Sequence, residues 1–141
     1  MAAIAPVRSA FEMGTAGREA WARRFFGTID AMDSPGFAAF FTEGGSFKMG
    51  NAPAYVGRQA IEEFVRGFFA ALQSLGHNIT GLWEGPGTFF SEGIVTYVTQ
   101  DGQEISLPYL GIMEFDGELI ANYRAYVDPA PLMAALYPAQ S

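Results

Sequence analysis

Residues 93–128 read GIVTYVTQDGQEISLPYLGIMEFDGELIANYRAYVD. Each of the two Asp-Gly pairs, Asp101-Gly102 and Asp116-Gly117, sits between runs rich in β-branched and aromatic residues. Asp-Gly in that setting marks a tight hairpin, because both residues tolerate the positive φ that such turns require. Upstream, Gly85-Pro86-Gly87 makes a third break of the same kind. Four antiparallel strands in a meander are therefore expected between Gly76 and Pro129.

The first half follows a different period. Trp21, Phe25, Ile29 and Met32 recur at helical spacing behind Thr15, a plausible cap. Asp33-Ser34-Pro35-Gly36 is a turn, after which Phe37 to Phe41 fits a short second helix stopped by Glu43-Gly44-Gly45. Ser46 to Asn51 reads as extended, with Phe47, Met49 and Asn51 on one side. From Arg58 onward, Ile61, Phe64, Val65, Phe68 and Leu72 make one broad apolar helix face that a sheet must cover. Helices first and a bent sheet afterwards give one α+β domain over residues 15–141, preceded by a loose arm at 1–14.

Alternation along a strand assigns its faces. Leu107, Tyr109, Gly111 and Met113 share one face, as do Tyr123, Ala125 and Val127, while Arg124, Tyr126 and Asp128 take the other. His77, Ile79, Gly81 and Trp83 form a face on the first meander strand, and the next strand divides into Ile94, Thr96, Val98 against Val95, Tyr97, Thr99. With Val95, Tyr97, Leu110, Ile112 and Tyr126 placed outside, the outer face is too apolar for water, and a homodimer through that face is expected.

The 141 residues suffice for one core, with about two-thirds of the unfolded chain's surface buried on folding. The absence of cysteine excludes disulfides, thiolate nucleophiles and cysteine metal sites, and a single histidine excludes multi-histidine centres. No cofactor is expected. A net charge of −7 disfavours nucleic acid and anionic membrane surfaces as partners. No apolar run approaches the roughly 20 residues of a membrane span, and the first seventeen residues hold no signal-peptide core, so a cytoplasmic location is expected. The expected partner is a small apolar molecule.

The segment Phe47 to Pro53 leading to Gly57-Arg58, the Asp101-Gly102 hairpin, Leu107-Pro108 and the ending Tyr123 to Asp128 resemble SnoaL-like proteins of the nuclear-transport-factor-2-like superfamily. The resemblance covers nearly all of residues 18–136. It implies a cone-shaped, cystatin-like fold: a strongly bent, largely antiparallel sheet wrapped around three N-terminal helices, with an apolar pocket at the open end. It does not imply one reaction, because relatives include isomerases, epoxide hydrolases, polyketide cyclases, dehydratases and proteins without catalysis. Limonene-epoxide hydrolases use an Arg-x-Asp pair, a last-strand Asp and a Tyr-x-Asn element. These positions align with Ile94 and Thr96, with Ala125, and with Met49 and Asn51, so only Asn51 is kept. Ketosteroid isomerases use a carboxylate base facing a tyrosine and a protonated acid. The matching positions are Met49, Phe25 and Gly111, and none carries the needed group.

His77 is the one side chain of a type whose unperturbed pKa lies near neutrality, and two roles are open to it. It either faces the hollow as general acid or base, or bonds backbone where the helix ends near Leu75. Tyr109 and Tyr123, inward on adjacent strands, could donate hydrogen bonds to a developing oxyanion or simply pack their rings. Asn51 could orient an oxygen of the ligand, and Met49, Phe25, Trp83, Thr96 and Ala125 are expected to line the wall. None of the carboxylates is expected to act as a base: Asp30 and Asp33 should bond local backbone, Glu84 and Glu114 should face outward, and the others belong to turns or a helix start. Arg124 and Asp128 look like a couple, but their parity sends them to the outer face. The expected function is cofactor-free proton transfer on an apolar oxygenated substrate such as a polyketide, terpenoid or aromatic compound, in an isomerase, cyclase, dehydratase or lyase. The alternative is a noncatalytic ligand-binding or interaction module, recognisable by an exposed His77 and by tyrosines bonded only to backbone. Epoxide hydrolysis stands behind both.

Overall fold

The computed structural model of the chain describes residues 3–4, 7–9 and 16–138. In chain order these comprise β1 (Ala3–Ile4), β2 (Val7–Ser9), α1 (Ala16–Asp30), α2 (Ser34–Ala39), β3 (Phe41–Met49), β4 (Tyr55–Val56) and α3 (Arg58–Ala70). The meander follows as β5 (Leu72–Gly85), β6 (Thr88–Thr99), β7 (Glu104–Asp116) and β8 (Leu119–Val127), and α4 (Ala130–Leu136) ends the chain. All strands join one bent sheet in the order β1-β5-β6-β7-β8-β3-β4, with β2 also on β5. Within the arm expected to be loose, β1 and β2 pair parallel to β5. Thr15 lies outside the described residues.

Each helix covers part of the sheet's inner face. On α1, Trp21, Ala22, Phe25, Phe26 and Ile29 are buried along one stripe. Asp33 accepts the Gly36 amide at 3.0 Å and so caps α2, as an aspartate before a proline-containing first turn should. On α3, Ile61, Val65 and Phe69 are buried, and Arg58 donates to the Phe41 carbonyl at 3.1 and 2.5 Å, tying the helix start to β3. This helix ends at Ala70, so Leu72 belongs to β5 and not to the helical face.

The three expected hairpin turns form, with Gly87, Gly102 and Gly117 all at positive φ. Glu43-Gly44-Gly45 does not stop the chain; it lies within β3, where the pairing with β8 shifts register. Parallel pairing of Phe47 with Tyr123 and Met49 with Ala125 carries β3 onto the last meander strand.

Faces agree with the expectation on β7 and β8; on β6 the alternation holds but inside and outside are exchanged, and on β5 a bulge breaks it. Residues directly paired across a ladder point to the same side. Val95 pairs with the inward Leu107, so Val95 and Tyr97 are buried inside, and Ile94 and Thr96 face outward. Thr96 there bonds Ser106 at 2.8 Å. On β5, a bulge between Ile79 and Gly81 reverses the face. Trp83 consequently lies over Gly81 on the outer side, while Leu82 and Glu84 turn inward. Glu84 faces Arg18 at 3.7 Å, and the Arg18 guanidinium stacks on Phe115 at 4.0 Å. The outer face thus exchanges Val95 and Tyr97 for Ile94, Val98 and Trp83 and stays apolar in composition; Ile94, Leu110 and Tyr126 are its exposed large side chains. Arg124 pairs with Glu114 at 2.7 Å rather than with Asp128, whose carboxylate accepts the Ala130 amide at 3.1 Å.

Opposite the β5 bulge, a Cβ on Gly93 would come within 2.2 Å of the Asn78 carbonyl oxygen. Because the obstacle is backbone, Gly93→Ala should cost about 1–3 kcal/mol. Gly76→Ala, with nothing near its Cβ, should be within about 1 kcal/mol of wild type. Urea denaturation of both variants checks the pair, and equal midpoints would contradict the close approach.

Candidate functional site

Between α1, α2, α3 and the inner face lies a largely apolar chamber of about 60 Å³. That is room for a few waters. Its walls include Ile29, Phe37, Phe47, Met49, Phe64, Phe68, Val95, Ala125 and Val127, with His77, Tyr97, Tyr109 and Tyr123 as the polar groups.

His77 sits inside β5, two strand residues before the bulge, and is buried. It does not cap a helix. Its Nδ1 lies 2.6 Å from Asp30 Oδ1, and its backbone N–H donates to Asp30 Oδ2 at 3.2 Å. Both side chains are under a tenth exposed. An ionised carboxylate only accepts, so Nδ1 carries a proton, and in the neutral ring Nε2 is the nitrogen with the free lone pair. The ring is held further by Phe26, with centroids 5.0 Å apart, and by an edge-on contact to Tyr109 at 5.3 Å.

Asp30 thus bonds a partner 47 residues away, in place of the local backbone expected for it. One signal in the sequence could have found it. Ala22, Phe26 and Asp30 follow one another at i, i+4, so the carboxylate lies on the buried stripe of α1.

Tyr109 exchanges a hydrogen bond with Ser91 at 3.0 Å. The hydroxyls of Tyr97 and Tyr123 have no hydrogen-bond partner among the described residues, and the Tyr123 ring lies across Gly111. Phe25 does not reach the chamber: it is fully buried behind it, against Trp21 at 4.9 Å and Tyr123 at 5.6 Å. Trp83 and Thr96 are on the outer side. Asn51 is exposed just past β3, on a separate groove. The chamber therefore gathers His77, Tyr109, Tyr123, Met49 and Ala125 from the residues singled out in the sequence, and adds Tyr97 and, behind His77, Asp30. Among the described residues, no three His, Asp or Glu side chains cluster as a metal site would require, and no helix is long and apolar enough to cross a membrane.

Burial keeps all three phenols protonated. It pushes Tyr109 up to about 12, against a small opposing effect from the Ser91 bond, and raises Tyr97 and Tyr123 further, with the neighbouring phenols adding to the rise. In the unfolded chain tyrosine ionises near pH 10. Below that value these groups contribute nothing to pH dependence. Between about pH 10 and 12 the unfolded state gives up protons that the native state keeps, so stability falls by about 1.4 kcal/mol per pH unit for each tyrosine. Urea midpoints should drop between pH 10 and 11, and Tyr97→Phe should make the drop shallower; an unchanged slope would show that Tyr97 ionises freely in the fold.

The SnoaL-like domain pattern matches residues 22–123. No curated protein matches the chain. Among solved structures, a nuclear-transport-factor-2-like protein of unknown function from Burkholderia pseudomallei superposes with a TM-score of 0.76 at 12% identity, over 88% of this chain and 98% of that one. A protein from Shewanella denitrificans with the provisional name SnoaL-like polyketide cyclase gives 0.74 at 13% identity, over 89% and 99%. One from Jannaschia sp. with the same provisional name gives 0.70 at 17%, over 94% and 97%. At these identities the likeness is one of fold. With the domain pattern spanning α1 to β8 and the bent sheet enclosing its chamber, the chain belongs to the SnoaL-like domain family.

Proposed function

We propose that the chain is a cofactor-free enzyme that moves a proton on a small, neutral, oxygen-bearing aromatic or polyketide-like molecule. The observation that carries this reading is the Asp30–His77 pair at the wall of a chamber lined with protonated phenols.

In the proposed step His77 Nε2 takes a proton from a carbon next to a carbonyl group. The electron pair of the broken C–H bond moves onto the carbonyl oxygen, and a phenol, Tyr109 or one of its neighbours, donates a hydrogen bond to the resulting enolate. Asp30 stabilises the imidazolium without taking its proton. The enolate carbon then attacks a second carbonyl to close a C–C bond, expels a β-hydroxyl or is reprotonated at another carbon, and the imidazolium returns its proton to the new alkoxide, to the hydroxyl leaving as water, or to that carbon; these are the cyclase, dehydratase and isomerase outcomes. Because burial holds the phenols in their neutral form, they serve as donors at neutral pH, leaving His77 as the base.

Supporting this reading over an inert binding module, His77 is buried instead of exposed, and Tyr109 bonds a side chain rather than backbone. The polyketide-cyclase names of two similar structures point to the same substrate class. Epoxide hydrolysis has less support, since the inward β6 positions Val95 and Tyr97 offer neither an arginine nor a carboxylate.

Hydrogen–deuterium exchange at the α-carbon of 1-tetralone and of cyclic 1,3-diketones in D2O, followed by NMR, tests the step without a known natural substrate. The chain should accelerate exchange, and His77→Gln should slow it by about 10²–10⁴-fold. Asp30→Asn should slow it as well and change its pH profile. Exchange undiminished in His77→Gln, or absent across the set, would overturn the reading.

A further inference from the structure

The chamber is too small for the ligand its chemistry suits. Ligand pockets usually enclose about 300–1,000 Å³, against about 60 Å³ here. A second hollow of about 700 Å³ lies outside it, between the C-terminal half of α3 and α4. Met49, Phe64 and Phe68 wall both spaces, so only side chains separate them.

That partition is made of side chains, with Phe64 stacked on Tyr55 at 4.2 Å. Phe64 and Phe68 are half-buried and lie parallel, 6.0 Å apart, and Met49 is unbranched. Gly67 leaves open space beside them. The far wall, α4, is anchored by the fully buried Leu132, starts where Asp128 accepts the Ala130 amide, and turns Met133 and Leu136 to the groove. The groove's lining includes no lysine or arginine, and Asp128 is its one charged residue. An anionic tail is therefore disfavoured.

We propose that the two spaces are compartments of one site, occupied by a single neutral molecule. Its hydroxyl- or carbonyl-bearing ring passes the Phe64/Phe68 partition to reach His77 and the phenols, and its uncharged apolar tail lies in the groove under α4. This rests on the reading of the chamber given above and adds the substrate's second half.

A series of 4-alkylphenols from methyl to hexyl tests it, with binding read by calorimetry and by the NMR signal of the single imidazole. Every member should shift the His77 resonance, and each added methylene should tighten binding by about fourfold. Leu136→Glu, and independently Met133→Glu, place charge in the groove away from the chamber. Each should cut that gain below about twofold while leaving 4-methylphenol binding nearly unchanged, with circular dichroism confirming the fold. Affinity independent of chain length, with the His77 shift retained, would overturn the two-compartment site and leave the chamber reading intact. Affinity rising with chain length while His77 stays silent would overturn both.

Discussion

A carboxylate that can only accept hydrogen bonds, placed at the last residue of α1 and buried, must find donors or go without. Asp30 finds two on one residue of β5, the imidazole Nδ1–H and the backbone N–H of His77. The double contact fixes how the helix end sits on the sheet and which ring nitrogen is left unprotonated. Packing and chemistry meet in the same pair. Had the carboxylate bonded only the end of its own helix, the imidazole would be free to turn and to change tautomer.

Around that pair the fold sets an apolar boundary with few polar exceptions. Three phenols line it, and only Tyr109 has a hydrogen-bond partner among the described residues. The Tyr97 and Tyr123 hydroxyls are not sealed off as Glu84 Oε1 is, so they can donate toward the chamber. Donors held in place by the fold are thereby aimed at the atom where charge would develop.

The sequence made the first three helices, the three glycine turns and the inward faces of β7 and β8 legible, because each depends on short-range spacing, whereas α4 goes unannounced. The apolar stripes of α1 and α3 needed no tertiary knowledge, and neither did the parity of Tyr109 and Tyr123. What it hid depends on pairing between distant segments. The bulge at Ile79–Gly81 turns Trp83 outward and Glu84 inward, and no local pattern announces an extra residue. Val95 and Tyr97 were misplaced for want of a register: once Leu107 is inward, its partner Val95 must be too. The Asp30–His77 contact joins residues 47 positions apart, and only the i, i+4 relation of Phe26 to Asp30 hints at it.

Because the chain has one histidine, its imidazole can be observed without ambiguity. Long-range ¹H–¹⁵N correlation NMR near pH 8 reads which ring nitrogen is protonated. The account predicts a proton on Nδ1 and a bare Nε2, with Asp30→Asn changing the pattern. A lone proton on Nε2 would contradict it, since Asp30 would then not hold the ring; protons on both nitrogens would contradict it as well, since His77 could not then accept one toward the chamber.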